Sequence, residues 1–325
     1  MGIDAELLLD RRALRRKLSF WRVVGIGGLI VAAGAVGWRA AGGGGGFGGV
    51  RPQIARITID GFIAGSEKTR ELMKRVGESR AVSGVVVSIN SPGGTTTGSE
   101  ELFRNLRQLA EKKPVVAFVD GTAASGAYIT ALAADHIVAR ETSLVGSIGV
   151  LFQYPEVSGL LDKVGVKVEE VKSAPLKAEP SPFHPTSPEA RAALQSIIGD
   201  TYGWFKGLVA ERRGMNPQQL AAVSDGRVFS GRQSVPLKLV DELGGERQAV
   251  EWLEREKGVA KDLPVRDWKP TSDRSFGVLS AAAFGADLLG YGEFASRLRA
   301  ASDETATLVR GGLLAVWRPG AAPAP

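Results

Sequence analysis

Cysteine is absent from this chain of 325 residues, and histidine occurs only twice. The first absence excludes thiol catalysis, disulfides and cysteine-based zinc sites, and it is compatible with either side of a membrane. The second removes the side chain that most often takes a proton from a catalytic hydroxyl. His136 and His184 stand in the runs Asp135-His136-Ile137-Val138 and Phe183-His184-Pro185. They read as a partly buried strand residue and a loop residue rather than as catalytic groups. A clustered basic motif is also missing: the net charge is +6, but most of the lysines and arginines are scattered, so no nucleic-acid partner is expected. The 44% hydrophobic and 23% charged fractions exclude a disordered chain and leave room for one large domain or two small ones with appendages.

The largest basic cluster, Arg11, Arg12, Arg15, Arg16 and Lys17, lies just before a mostly apolar stretch at residues 20–38. As a helix that stretch would measure about 28 Å, close to the thickness of a bilayer core. Arg22 near its start can snorkel to the headgroups, and Trp21 and Trp38 suit the two interfaces. The positive-inside rule then keeps the N-terminus cytoplasmic and places everything after residue 38 outside. A cleaved signal peptide is the competing reading, because Ala33-Gly34-Ala35 and Ala40-Ala41 are small enough for signal peptidase; an uncleaved anchor is favoured. Either way the body of the protein is exported.

Residues 39–50 are rich in glycine, seven of the twelve, and Gly43-Gly44-Gly45-Gly46-Phe47-Gly48 satisfies the dinucleotide pattern G-x-G-x-x-G by accident. With no strand before it and no helix after it, the segment reads as a flexible linker. Its r.m.s. reach of about 20 Å would hold the body near the membrane surface. The expected organisation is a basic cytoplasmic tail (1–19), a transmembrane anchor (20–38), the linker (39–50), a folded domain (51–270) and a partly disordered tail (271–325).

Within the body, β-branched runs alternate with helical patterns: strands at 54–59, 84–89 and 115–119, and helices at 67–76, 99–111 and 125–134. This is an α/β rhythm with strands apolar enough to be buried on both faces. Two strand-to-helix junctions are rich in small residues. Asn90-Ser91-Pro92-Gly93-Gly94 reads as a turn whose glycines let backbone N–H groups face a ligand. Asp120-Gly121-Thr122-Ala123-Ala124-Ser125-Gly126 places Ser125 at or near a helix start, as a nucleophile or as a plain N-cap serine. Further on, Ser187-Pro188-Glu189 signals a helix running to Arg213, with Leu194, Ile197, Ile198, Trp204, Phe205 and Leu208 as packing residues.

Taken together, these motifs resemble signal peptide peptidase A, a family of membrane-anchored serine–lysine proteases of the Clp/crotonase fold, over roughly residues 54–253. Asn90-Ser91-Pro92-Gly93-Gly94 resembles the family's oxyanion turn and Ala124-Ser125-Gly126 its nucleophile. Gly146-Ser147-Ile148-Gly149-Val150 resembles the auxiliary-serine loop, and residues 172–183 the lysine segment. Asp225-Gly226-Arg227-Val228-Phe229-Ser230-Gly231 and Leu239-Val240-Asp241-Glu242-Leu243-Gly244 resemble a C-terminal signature. Pro175 departs from a frequent lysine or other polar residue, and Lys238 from a frequent glycine.

The resemblance implies an α/β superhelix of ββα units behind one transmembrane helix, and a serine endopeptidase acting on peptides such as signal-peptide remnants. It makes Ser125 the nucleophile, Lys177 the general base and Ser147 the residue that orients the lysine. Gly94, with Gly126 second, would supply oxyanion N–H groups. No cofactor or metal is implied. Location in a bacterial inner membrane, with the catalytic domain periplasmic or extracytoplasmic, and a homo-oligomeric ring also follow from it. A free lysine has a pKa near 10.4, so roughly one in 2,500 is neutral at pH 7. Desolvation by Pro175, Leu176, Pro180 and Phe183 is expected to lower it, and Glu179 is the carboxylate able to undo that shift. An acyl-CoA enzyme of the crotonase type and a catalytically inactive scaffold are the alternatives.

Overall fold

The computed structural model describes residues 51–270, the helical residue Trp21 and the backbone of residues 314–316. Among the described residues, every strand lies in one compact unit that begins at Pro52. Among the described residues no helix is long and apolar enough to cross a membrane; the expected anchor at 20–38 falls outside them except for Trp21.

The chain alternates strand and helix: β1 (Gln53–Ile63), α1 (Glu67–Glu78), β2 (Val82–Thr95), α2 (Thr96–Ala110), β3 (Val115–Ala124) and α3 (Gly126–Ala131). Two short strands follow, β4 (His136–Ala139) and β5 (Leu144–Gly146). After α4 (Ser158–Val164) come the long α5 (Pro188–Arg213), then α6 (Pro217–Val223), β6 (Val228–Ser230), α7 (Gly231–Ser234), β7 (Glu242–Leu243), α8 (Glu246–Lys257) and β8 (Val265–Asp267). Residues Leu314–Val316 form β9.

All these strands belong to one mixed sheet with central order β6-β5-β3-β2-β1-β8. The pairs β1–β2, β2–β3, β3–β4, β3–β5 and β1–β8 are parallel; β5–β6 and β2–β9 are antiparallel. The run Val85-Val86-Val87 shows why the strands carry so little polarity. Val85 and Val87 enter the larger core beneath α1, α2, α3 and α5, whereas Val86 faces a smaller core with Phe118, Trp252 and Leu253 under α8. Both faces are covered, so alternation along the strand is between two apolar layers.

Two expectations about local structure are corrected. Asn90-Ser91-Pro92-Gly93-Gly94 is not a turn: β2 continues through it to Thr95, and β1 extends alongside, with Phe62 opposite Gly93 and Ile63 opposite Gly94. Contact here is so close that a Cβ on Gly94 would lie 1.8 Å from the Ile63 carbonyl oxygen, which is the physical reason for glycine. Asp120 to Ala124 likewise remains strand, pairing with β5.

The helix α5 starts where expected, with Ser187 Oγ accepting from the Ala190 N–H at 3.1 Å and proline in the first turn. Its packing face is shorter than expected. Phe205 and Val209 are buried, but Ile197 is half exposed, so the first half of α5 packs only loosely on its own chain. The tail expected to be partly disordered lies outside the described residues, save for the strand at 314–316.

Candidate active site

The register between β3 and β5 builds the centre of the site. Thr122, Ala123 and Ala124 pair in parallel with Leu144, Val145 and Gly146, and each strand ends with a serine one residue later. Ser125 and Ser147 therefore emerge side by side from strands about 4.8 Å apart. The Ser125 N–H donates to the Gly146 carbonyl at 2.7 Å, which locks the two ends together.

Both serines have backbone torsions that favour glycine: φ is +56° at Ser125 and +51° at Ser147. Ser125 is the N-cap of α3 by position, with ψ −118°, yet its side chain caps nothing. Its Oγ instead faces the Gly149 carbonyl at 3.5 Å, and the residue is 1% exposed. The plain N-cap reading is thus excluded. Strain at a non-glycine residue whose buried hydroxyl makes only this long hydrogen bond marks a position kept for something other than packing.

Ser147 is held by the segment Asp225-Gly226-Arg227-Val228-Phe229-Ser230-Gly231, whose role was not legible in the sequence. Its N–H donates to the Arg227 carbonyl at 2.8 Å, and β6 pairs antiparallel with β5, Val228 opposite Gly146. Gly231 is required because a Cβ there would lie 2.0 Å from the Arg140 carbonyl oxygen. The second C-terminal run anchors α3 from below. Tyr128 is fully buried and its hydroxyl donates to the Leu239 carbonyl at 2.8 Å, while burial pushes the phenol well above its ordinary pKa. Lys238, where the resemblance expects glycine, has φ +59°, the left-handed conformation that glycine adopts without strain.

On the other flank, Ser91 is completely buried and its Oγ accepts from the Gly93 N–H at 3.1 Å. This fixes the bend of β2 just before Gly94. Asn90 packs against Gly121, where a Cβ would meet its Oδ1 at 2.5 Å, and its Nδ2 donates to Asp60 at 3.1 Å. Neither residue was singled out for a role; the signal was the Asn-Ser-Pro-Gly-Gly run itself. Gly126 is buried as the first residue of α3.

Lys177 lies apart. It is exposed in an irregular segment after α4, where its N–H donates to the Ala174 carbonyl at 3.0 Å. Among the described residues no hydrogen bond or ion pair joins it to Ser125 or Ser147. The expected desolvation is not supplied by the single chain either: Leu176 and Phe183 are themselves more than 40% exposed. Glu179, the carboxylate expected to matter, turns to Lys172 at 2.6 Å. That hydrogen-bonded ammonium holds the Glu179 carboxyl below its ordinary range, and Lys172 does the same for Glu170 at 2.5 Å. Glu170, Glu179 and His184 are close enough to share a cation, and the cation among them is Lys172. The readings of the histidines hold: His136 opens β4 stacked on Trp252 at 4.7 Å, and His184 is a loop residue beside the two glutamates.

A serine poised on a strained strand-to-helix junction, with glycine backbone at close quarters, is the framework of a nucleophilic hydrolase. Residues 107–260 match the model of peptidase family S49. The "Putative protease" of Synechocystis sp. is 37% identical over 248 residues, covering 75% of this chain and 90% of its own. The "Putative signal peptide peptidase SppA" of Enterococcus faecium is 32% identical, over 67% of each chain. A "Serine protease SPPA, chloroplastic" of Arabidopsis thaliana is 32% identical over 62% of this chain and 32% of its own length. The chain belongs to peptidase family S49, among its signal-peptide-peptidase-A-like members.

Proposed function

We propose that this protein is a membrane-anchored serine endopeptidase in which Ser125 attacks the peptide carbonyl and Lys177 is the general base. The observation that carries the reading is Ser125 itself: buried, strained, capping nothing, and placed beside Ser147 by the β3–β5 register. A serine hydroxyl needs a proton acceptor to react near neutral pH; the scarcity of histidine leaves carboxylates or a lysine held neutral, and the family resemblance selects Lys177. Backbone N–H groups at Gly94, and second at Gly126, stabilise the developing oxyanion. Removing one such donor typically costs on the order of a hundred-fold or more in turnover. Water then hydrolyses the acyl-enzyme.

Lys177 reaches Ser125 from a neighbouring copy in a ring of protomers. Support comes from the surface around it: Leu160, Val164, Val166, Val168, Val171 and Leu176 are all exposed large apolar residues within one segment. A surface of this kind is expected at an interface rather than in water. Docking it on a second copy removes Lys177 from water, which disfavours its ammonium form and makes it a competent base. Ser147 then orients the amine. The strand-onto-helix repetition from β1 to α3 supports a superhelix of the Clp/crotonase kind, which suits ring assembly.

The substrates are extended apolar peptides such as signal-peptide remnants. The short glycine linker after residues 20–38 supports this by holding the site near a bacterial inner membrane, on its outer side. The test is labelling of the full chain with a fluorophosphonate probe, together with hydrolysis of a signal-peptide segment by wild type, Ser125→Ala and Lys177→Ala. Loss of labelling in Ser125→Ala and loss of turnover in both variants is the expected result. Near-normal turnover of Lys177→Ala overturns the mechanism, and cleavage of soluble polar peptides in preference to signal-peptide segments overturns the substrate assignment.

A further inference from the structure

Lys177 stands near the tip of a small loop whose two ends are joined by charge. Residues 173–178 are all exposed, whereas Lys172 and Glu179 on either side of them are half-buried and Ser181 is buried. Within the loop the Lys177 N–H donates to the Ala174 carbonyl at 3.0 Å and the Glu179 N–H to the Leu176 carbonyl at 3.4 Å. Ala178 has φ +63°, in the left-handed region, where the chain turns back. The two ends meet at a neck, where Lys172 Nζ donates to Glu179 Oε1 at 2.6 Å.

Every carboxylate oxygen at this neck has a partner. Lys172 also pairs with Glu170 Oε2 at 2.5 Å, Ser181 Oγ donates to Glu170 Oε1 at 3.1 Å, and the Ser181 N–H donates to Glu179 Oε2 at 3.2 Å. His184 Nε2 stands 3.6 Å from Glu170 and 3.4 Å from Glu179. Among the described residues, Lys172 and His184 are the basic groups that face the two carboxylates. The Glu179 side chain is 8% exposed, so its ionised form needs a cation close by, and Lys172 is the one it has. Without Lys172 the nearest lysine along the chain would be Lys177, two residues from Glu179. An opposite charge within about 4–6 Å favours the charged form of an ionisable group, typically by roughly one to three pH units, which is the wrong direction for a base.

We propose that Lys172 is a positioning residue of the active site: it closes the neck of the loop that presents Lys177 and withholds the Glu179 carboxylate from the Lys177 amine. The inference rests on the reading of Lys177 as the general base. With Lys172 in place the neck carries one uncompensated negative charge instead of two, and both oxygens of Glu179 are held at the neck rather than at the tip. Association can then take Lys177 out of water without handing it a counterion.

The test is the pH profile of kcat/KM for the full chain in its assembled form, between pH 6 and 10. A base that works as its neutral amine gives a rate that rises with pH along one limb. In Lys172→Met that limb is expected to move up by about one pH unit or more, so that the rate near pH 7 falls about tenfold while the rates converge at alkaline pH. Histidine is ordinarily neutral above pH 7, so His184 does not take over the place of the lysine there. Lys172→Arg keeps the limb at its wild-type position, and Lys172→Met combined with Glu179→Gln brings it back, which a merely structural role of Lys172 would not do. A limb that stays in place in Lys172→Met, or a rate lowered equally at every pH and not recovered by Glu179→Gln, overturns this inference alone, provided Lys177→Ala is inactive. Near-normal turnover of Lys177→Ala overturns the general-base reading and this inference with it.

Discussion

The two halves of the proposed site are built differently. The Ser125 half is made of strand ends packed closely by the same chain: Ala123, Ala124, Gly126 and Val145 are buried, and Gly94, Gly121 and Gly231 admit no side chain at all. The Lys177 half is an irregular segment held by a few local bonds, such as the Val157 N–H to the Pro182 carbonyl at 2.8 Å, with its large apolar side chains facing outward. On the proposed reading, the difference is that one half is finished by folding and the other would be finished by association. A nucleophile needs fixed geometry, which close packing gives; a lysine base needs removal from water, which a second copy would give.

Breaking the finished half carries the largest expected effect. Gly94→Ala forces a methyl group into the Ile63 backbone, a clash that no rotamer relieves, and is expected to destabilise the chain by roughly 3 kcal/mol or more, read as a lowered midpoint in urea. Tyr128→Phe removes the donor to Leu239 and leaves that carbonyl without it in the core, costing about 1–2 kcal/mol in the same experiment. In the other half, Val171→Asp is expected to change urea stability by less than about 0.5 kcal/mol, because the side chain is fully exposed. It is nevertheless expected to disperse the proposed assembly in sedimentation, and with it the activity. If Val171→Asp unfolded the chain as Gly94→Ala does, the contrast between the halves would be gone.

Acid produces the smallest effect. The Glu170 and Glu179 carboxyls are held below their ordinary range by Lys172, so their contribution is fully present above about pH 4.3 and is lost as pH falls through the lowered values. Amide exchange in the segment around Lys172 is expected to accelerate below that point, while exchange in β2 and β3 stays unchanged. Loosening in the opposite direction, with rising pH between 5 and 7, would contradict the pairing.

The contrast also explains what was legible. Valine-rich strands, the capped start of α5 and the strained Ser125 junction leave local signatures, because period, cap chemistry and small residues act within a few positions. What escaped reading depends on distant backbone. The run at Asn90 looked like a turn because its glycines suit one; Gly94 is there because Ile63 passes within contact, and Gly93 has φ +110°. Arg227 mattered through its carbonyl, which carries no side-chain signal, and β9 lies far along the chain from the edge it fills. Ile197 looked like a core residue from its spacing on α5, yet it is half exposed, and periodicity cannot say whether an apolar stripe meets its own chain or another.

The most direct test of that division mixes two inactive proteins. Ser125→Ala retains Lys177, and Lys177→Ala retains Ser125, so each lacks one half of the site. If the halves meet across copies, unfolding and reassembling an equal mixture restores peptide hydrolysis to about a quarter of the wild-type level, the share of interfaces that pair an intact serine with an intact lysine. Hydrolysis that stays at the level of either variant alone, from a mixture shown to have co-assembled, would contradict the account.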